Sequence, residues 1–206
     1  MRMGFVFDTT RCVGCNACSV ACKQANNLPA TVWYSRVLTD GGDVADTPAG
    51  TFPHLSQRYF TLACQHCANP ACTRVCPVGA TAKDAETGIV HQDTERCIGC
   101  RMCVAACPYT GVRSFNWQEP AFELGFALGE ADAPTHYKQT VEKCTFCSGR
   151  LGRGEQPACT VLCPARARHY GDLDDPESEV SHLIRTKSTT RLLEEMGTDP
   201  SVYFII

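Results

Sequence analysis

Sixteen cysteines stand in four sets of four, and no cysteine of this 206-residue chain falls outside them. Thiolate is a soft ligand for zinc and iron, so complete sets of four point to metal binding before any other chemistry. Cys12, Cys15, Cys18 and Cys22 are spaced C-x2-C-x2-C-x3-C, and Cys97, Cys100, Cys103 and Cys107 repeat that spacing. Cys64, Cys67, Cys72 and Cys76 widen the middle gap to four residues, and Cys144, Cys147, Cys159 and Cys163 widen it to eleven. Proline follows the last cysteine of three sets, as Pro77, Pro108 and Pro164. This spacing, closed by Cys-Pro, is the signature of [4Fe–4S] clusters and implies four of them.

The spacing has a physical reason. Three thiolates in a tight turn hold three irons of one cluster, and the fourth iron takes its ligand from elsewhere. Cysteines four apart on a helix share a face with about 6 Å of rise between them, so the third and fourth of a set face different clusters. In two-cluster ferredoxins the fourth cysteine of a run indeed ligates the other cluster. Clusters therefore come in close pairs, which suits passing electrons. Structural zinc also uses C-x2-C, but joins two such pairs across a longer spacer and lacks the closing x3-C-P. Disulfide frameworks belong to small secreted chains without regular C-x2-C-x2-C runs.

Composition bounds the rest. The apolar content of 44% is that of an ordinary water-soluble chain of one or two domains. The formal charge of -3 understates the acidity, because each oxidised cluster with its four thiolates carries about -2. Arg11, Lys23, Arg74, Arg96, Arg101 and Lys143 sit beside ligand positions; each is read as an ordinary solvated charge. Much of the chain is loop around cysteines, so metal should supply folding energy and the apo-protein should fold poorly. Basic residues form no block of the kind that binds nucleic acid. No stretch reaches the ~18 apolar residues of a bilayer span. The run Gly4 to Phe7 leads directly into the first cysteine set, without the apolar region and cleavage site of a signal peptide. Export or membrane attachment is thus expected through a partner. No Walker A sequence occurs, and Gly149, Gly152 and Gly154 are read as turn makers. His66 lies beside a cluster already satisfied by four cysteines, so a structural or hydrogen-bonding role is expected. With no spare thiol nucleophile and no open metal position, the chain is not expected to be an enzyme on its own.

The elements that position these ligands read as an α+β fold of two ferredoxin-like double-cluster modules. Arg58 to Leu62 predicts a strand, Cys72 to Cys76 a short helix and Gly88 to His91 a returning strand. The second and third sets lie close in sequence, which argues that they pair and leave the first and fourth to pair around them. On this nested reading Cys64, Cys67, Cys72 and Cys107 hold one cluster, and Cys97, Cys100, Cys103 and Cys76 its neighbour. Cys12, Cys15, Cys18 and Cys163 hold a third, and Cys144, Cys147, Cys159 and Cys22 the fourth. Pairing of first with second and third with fourth is the alternative.

The outer module then comprises residues 1–27 and 140–171 and the inner one residues 57–112. Insertion 28–56, with Pro29, Gly41, Gly42, Asp43, Pro48, Gly50 and Pro53, reads as an irregular excursion. Insertion 113–139 carries Phe115, Trp117, Phe122 and Phe126, which are expected to fill core beneath a long loop, with partner docking as the lesser role. In the tail, 172–206, Asp172, Asp174 and Asp175 precede a helix beginning at Pro176, with Val180, Leu183 and Ile184 at helical spacing. The apolar Val202 to Ile206 reads as a terminal strand or a partner contact.

Beyond the cysteines, the phrases EKCTFCSGRLGRGEQPAC (Glu142 to Cys159), GDLDDPES (Gly171 to Ser178) and GTDPSVYFI (Gly197 to Ile205) carry a resemblance. Together with the order of spacings, they make the whole chain resemble the four-cluster iron–sulfur subunit of the DMSO reductase family of molybdenum enzymes, on its polysulfide and arsenate reductase branch. The resemblance implies the nested pairing. Some nitrate reductase relatives carry tryptophan in place of the third set's second cysteine and hold a three-iron cluster; here that position is Cys100. It further implies a relay of single electrons between a catalytic subunit carrying a molybdenum or tungsten bis-pterin cofactor and a quinol-linked membrane anchor or other donor. It implies co-export with the catalytic partner, a cytoplasmic complex being the alternative. The similar subunit of a formate dehydrogenase or hydrogenase complex is the runner-up, and a zinc-binding structural module the alternative of another class.

Overall fold

The computed structural model describes residues 1–41, 46–117, 126 and 128–206. The first half holds β1 (Met3–Asp8), α1 (Ala17–Ala25), β2 (Ser35–Asp40), β3 (Ala49–Thr51), β4 (His54–Ser56), β5 (Arg58–Ala63), α2 (Ala71–Arg74), β6 (Thr81–Lys83), β7 (Val90–Gln92) and α3 (Met102–Ala105). It continues with β8 (Arg113–Phe115), β9 (Val141–Lys143), α4 (Ser148–Gly152), α5 (Ala158–Val161), β10 (Arg168–Asp172), α6 (Glu179–Thr186), β11 (Thr189–Thr190) and β12 (Val202–Ile205).

The run MGFVFD is apolar at nearly every position, as a strand covered on both faces must be. It forms β1, an inner strand of the sheet β10-β1-β12-β11. β10 pairs antiparallel, with Phe5 opposite Tyr170, and β12 pairs parallel, with Phe5 opposite Val202. One face packs Phe5 on Phe146 at 4.1 Å between ring centres and Phe7 edge-on to Phe204 at 5.5 Å. The other face buries Val6 and Ile205 against Val180 of α6. That helix begins at Glu179 rather than Pro176, because Ser178 caps it: its Oγ accepts the Ser181 N–H at 3.2 Å. The apolar end of the tail is thus a strand of the main sheet.

Four two-stranded ribbons surround this sheet: β2–β5, β3–β4, β6–β7 and β8–β9. They correct the reading of residues 28–56 as irregular. Ser35 to Asp40 pairs in register with Arg58 to Ala63, a strand masked in the sequence by the prolines and glycines beside it. The aromatics of the second insertion also differ from expectation. Phe115 packs against the core of Cys72, Val90, Cys103 and Val141, but Trp117 and Phe126 are 59% and 66% exposed. Phe122 lies outside the described residues. Gly149 and Gly152 lie within helix α4 rather than in a turn, and Gly154 alone of the three takes a left-handed φ of 74°. Arg150 and Arg153 on this spacer pair with Glu130, and Arg153 with Asp132 at 2.9 Å, tying it to the second insertion.

Phe204 is 3% exposed and meets both Phe7 and Phe60 edge-on. Phe204→Ala is expected to cost about 3 to 5 kcal/mol, read from anaerobic guanidinium unfolding of the loaded protein. A loss below about 1 kcal/mol would contradict the packing described.

Candidate metal centres

Each cysteine set is positioned in the same way. A strand runs into it, β1, β5, β7 or β9, and its third cysteine lies on a short helix, α1, α2, α3 or α5. The third residue of every C-x2-C turn takes left-handed φ: Gly14 (70°), His66 (41°), Gly99 (67°) and Phe146 (60°). Left-handed residues in such turns direct successive N–H groups into one concavity, which favours an anion. Glycine is needed for space as well as φ at position 99, where a Cβ would lie 2.0 Å from the Gln139 carbonyl oxygen. His66 and Phe146 hold this conformation by burial. Their rings meet edge-on at 5.2 Å, and Val90 donates its N–H to His66 Nδ1 at 3.2 Å. Burial, followed by the nearby Lys143, His91 and Arg113, keeps His66 neutral well below its ordinary range.

None of the sixteen cysteines is in a disulfide. Cys12, Cys15, Cys18 and Cys163 line one cavity, and Cys76, Cys97, Cys100 and Cys103 another. Cys22 is gathered with the fourth set: burial raises its thiol first, then Cys144, Cys159 and Cys147. Cys67 is pushed up to about 12 by burial and then by Cys64, with smaller contributions from Cys72 and Cys107. Cys144 also feels Cys64, so the fourth and second sets are neighbours. Among the described residues, no three His, Cys, Asp or Glu side chains converge closely enough to share a single metal ion.

Donors also point at the sulfurs. Backbone N–H groups of Thr81, Val141, Phe146 and Ala167 donate to Cys76, Cys97, Cys144 and Cys163 Sγ at 3.3 to 3.4 Å. Asn26 Nδ2 donates to Cys22 Sγ at 3.6 Å. Asn26 belongs to a buried network: its carbonyl lies 2.8 Å from His136 Nε2, and His136 Nδ1 meets the fully buried Glu142 carboxylate at 2.6 Å. Tyr34 donates to the same carboxylate at 2.9 Å. Burial opposes charge on His136, yet Glu142 and the Asn26 carbonyl outweigh it and raise its proton affinity.

The basic residues correct one sequence expectation. Lys143 is 1% exposed, not solvated, and its Nζ donates to the carbonyls of Val90 and Cys144. Lys23 Nζ donates to three carbonyls, those of Pro29, Ala30 and Val32, at 2.6 to 3.1 Å. Arg96 holds the Val78 carbonyl at 2.9 Å, Arg74 the Asn69 side chain, and Arg101 stacks on Phe115 and Trp117. Two further arginines escaped sequence reasoning. Arg113 and Arg168 are 6% and 5% exposed, and Arg113 Nη2 together with Arg168 Nε and Nη1 finds no partner among the described residues. Buried guanidinium N–H groups facing thiols fit an anionic cluster with sulfur acceptors. The recurring signal was their place, five or six residues after a closing cysteine.

Residues 55–123 match the family of 4Fe-4S dicluster domains. A Halobacterium salinarum protein named as a dimethyl sulfoxide reductase iron–sulfur subunit is 50% identical, over 98% of this chain and 78% of its own length. The arsenate respiratory reductase iron–sulfur subunit ArrB of Shewanella sp. is 39% identical, over 100% of this chain and 96% of its own. The chain belongs to the iron–sulfur subunits of the DMSO reductase family. This family's subunits bind [4Fe–4S] clusters and transfer electrons within reductase complexes. The iron–sulfur cluster-binding subunit of the menaquinone reductase of Nitratidesulfovibrio vulgaris is 37% identical, over 100% of this chain and 89% of its own length. In this iron–sulfur subunit, no helix among the described residues is long and apolar enough to cross a membrane.

Burial pushes Cys144, like Cys67, up to about 12, and Cys107 and Cys147 up to about 11, with neighbouring thiolates adding to each. Burial thus opposes the charged thiolate, and a thiol must shed its proton to ligate iron, so rising pH favours loading while acid opposes it. Reconstitution with ferrous iron and sulfide is expected to release about one proton per ligating thiol and to strengthen from about pH 6.5 to about pH 8.5. Proton release in weak buffer measures this, and loading independent of pH would contradict it.

Proposed function

We propose that this subunit holds four [4Fe–4S] clusters in nested pairs and conducts electrons along them between a molybdopterin catalytic subunit and a quinol-linked membrane partner. The supporting observation is the gathering of three cysteines of one set with one of another. Cys163 joins Cys12, Cys15 and Cys18 around one cavity; Cys76 joins Cys97, Cys100 and Cys103 around a second. Cys22 lies with Cys144, Cys147 and Cys159, and Cys107 with Cys64, Cys67 and Cys72. When bound, each cluster takes up and releases one electron. The thiolates fix the positions between which electrons pass, and the turn and helix N–H groups stabilise negative charge there.

Neighbour relations among these groups support a linear order. α1 carries Cys18 of the first group and Cys22 of the second. Cys144 neighbours Cys64, and Cys103 neighbours Cys72. The two terminal groups contain the exposed cysteines, Cys15 and Cys100. Beside them Val13 and Ile98 are exposed, and such apolar residues exclude water when a redox partner docks. Relatives named for dimethyl sulfoxide and arsenate reductases support a catalytic partner at one end, and one named for menaquinone reductase supports a quinone-linked partner at the other. Co-export with the catalytic subunit would place the complex on the extracytoplasmic face. The chain itself performs no substrate chemistry.

Anaerobic purification of the complex, with iron, sulfide, zinc, molybdenum and tungsten measured on one sample, is expected to give about sixteen irons per chain and molybdenum or tungsten in a larger partner. Zinc without iron would overturn the relay. Gly99→Val forces a side chain against the Gln139 carbonyl and is expected to remove about four irons, leaving the other groups loaded. Gly152→Ala, in helix α4 at a position with nothing within 4 Å, is expected to retain all of them.

A further inference from the structure

Arg113 and Arg168 occupy equivalent places. Each is the first residue of the strand that follows a closing cysteine, β8 after Cys107 and β10 after Cys163. Each guanidinium is buried, and each faces cysteines of two different groups. Arg168 lines the cavity of Cys12, Cys15, Cys18 and Cys163 and also lies close enough to Cys22, Cys144 and Cys159 to feel their charge. Arg113 lies close to Cys72, Cys64 and Cys103 and hydrogen-bonds Cys72. The protein satisfies these side chains only in part. The Phe7 ring lies 4.2 Å from Arg168 Cζ, and Gln92 Oε1 accepts from Arg113 Nη1 at 3.1 Å. Arg168 Nε and Nη1 and Arg113 Nη2 remain without a partner among the described residues. A buried cation with unsatisfied N–H groups is costly unless an anion lies beside it.

We propose that Arg168 and Arg113 are positioning residues, each the shared counter-charge of one cluster pair, whose free N–H groups donate to sulfur of the two flanking clusters and hold their reduction potentials up. The proposal rests on the four-cluster reading. Arginine suits the place because its planar fork reaches two acceptors and stays charged. Reduction adds a negative charge to a cluster, so a fixed cation beside it favours the reduced state. Lys143, buried among the Val90 and Cys144 carbonyls where the second and third groups meet, puts a third cation at the one remaining step.

The test is an EPR-monitored redox titration of the intact complex, with iron counted per chain, for Arg168→Gln, Arg168→Lys, Arg113→Gln and Arg113→Lys. Arg168→Gln is expected to lower the reduction equilibrium constant about tenfold, ~59 mV for one electron, at the clusters of Cys12 and Cys144 and to leave the other two unmoved. Arg113→Gln is expected to do the reverse, and each lysine variant to recover at least half of the shift. If a glutamine variant fails to hold its pair, retention of that iron in the lysine variant supports the charge role. Equal loss in both variants overturns it, as does an unshifted potential in a fully loaded glutamine variant or an equal shift of all four clusters. A wild-type complex without about sixteen irons would instead remove the four-cluster reading itself.

Discussion

Burying anionic sulfur is the constraint on which the remainder of this structure depends. Of the sixteen cysteines six are buried, eight half-buried and two exposed, and a thiolate taken away from water is expensive without donors or cations beside it. The answer is local and repeated. A left-handed residue in each C-x2-C turn aims N–H groups inward, backbone donors reach the sulfurs, and buried cations stand between neighbouring groups. The hydrophobic core is accordingly divided. Cys18 and Cys159 pack with the phenylalanines of β1 and β12, and Cys72 and Cys103 with Val90 and Val141, so ligand and core positions are the same positions.

The regular sheet serves this arrangement. By placing β1 between β10 and β12, it fixes the start of the first set against the segment that leaves the fourth, so Cys163 arrives beside Cys12. The inner sets need no such frame. The ribbons β6–β7 and β8–β9 and the short helices α2 and α3 bring them together over a short stretch of chain.

How much of this was legible follows from where each signal resides. The gathering of cysteines from different sets was legible because metal chemistry dictates residue type and spacing together. The strand at Arg58 to Ala63 and the helix around Val180, Leu183 and Ile184 were readable from ordinary periodicity. The partner strand Ser35 to Asp40 was not, since it is flanked by turn residues and its existence depends on pairing with the distant segment Arg58 to Ala63. Arg113 and Arg168 were missed for a related reason. An arginine in a sequence looks like surface, and only the fold reveals that both guanidiniums are enclosed between cysteine groups. Trp117 failed in the opposite sense: aromatic composition suggested core, whereas stacking on Arg101 leaves it half in water.

The parallel pairing of β1 with β12 bears on biosynthesis. The first strand of the chain gains one neighbour from residues 168–172 and the other from residues 202–205, so it emerges from the ribosome long before either partner exists. Cys12, Cys15 and Cys18 likewise gather with Cys163, far along the chain, whereas Cys97, Cys100 and Cys103 gather with the nearby Cys76. A nascent chain therefore carries the first set without its neighbouring strands or Cys163 until residues 163–205 have been made.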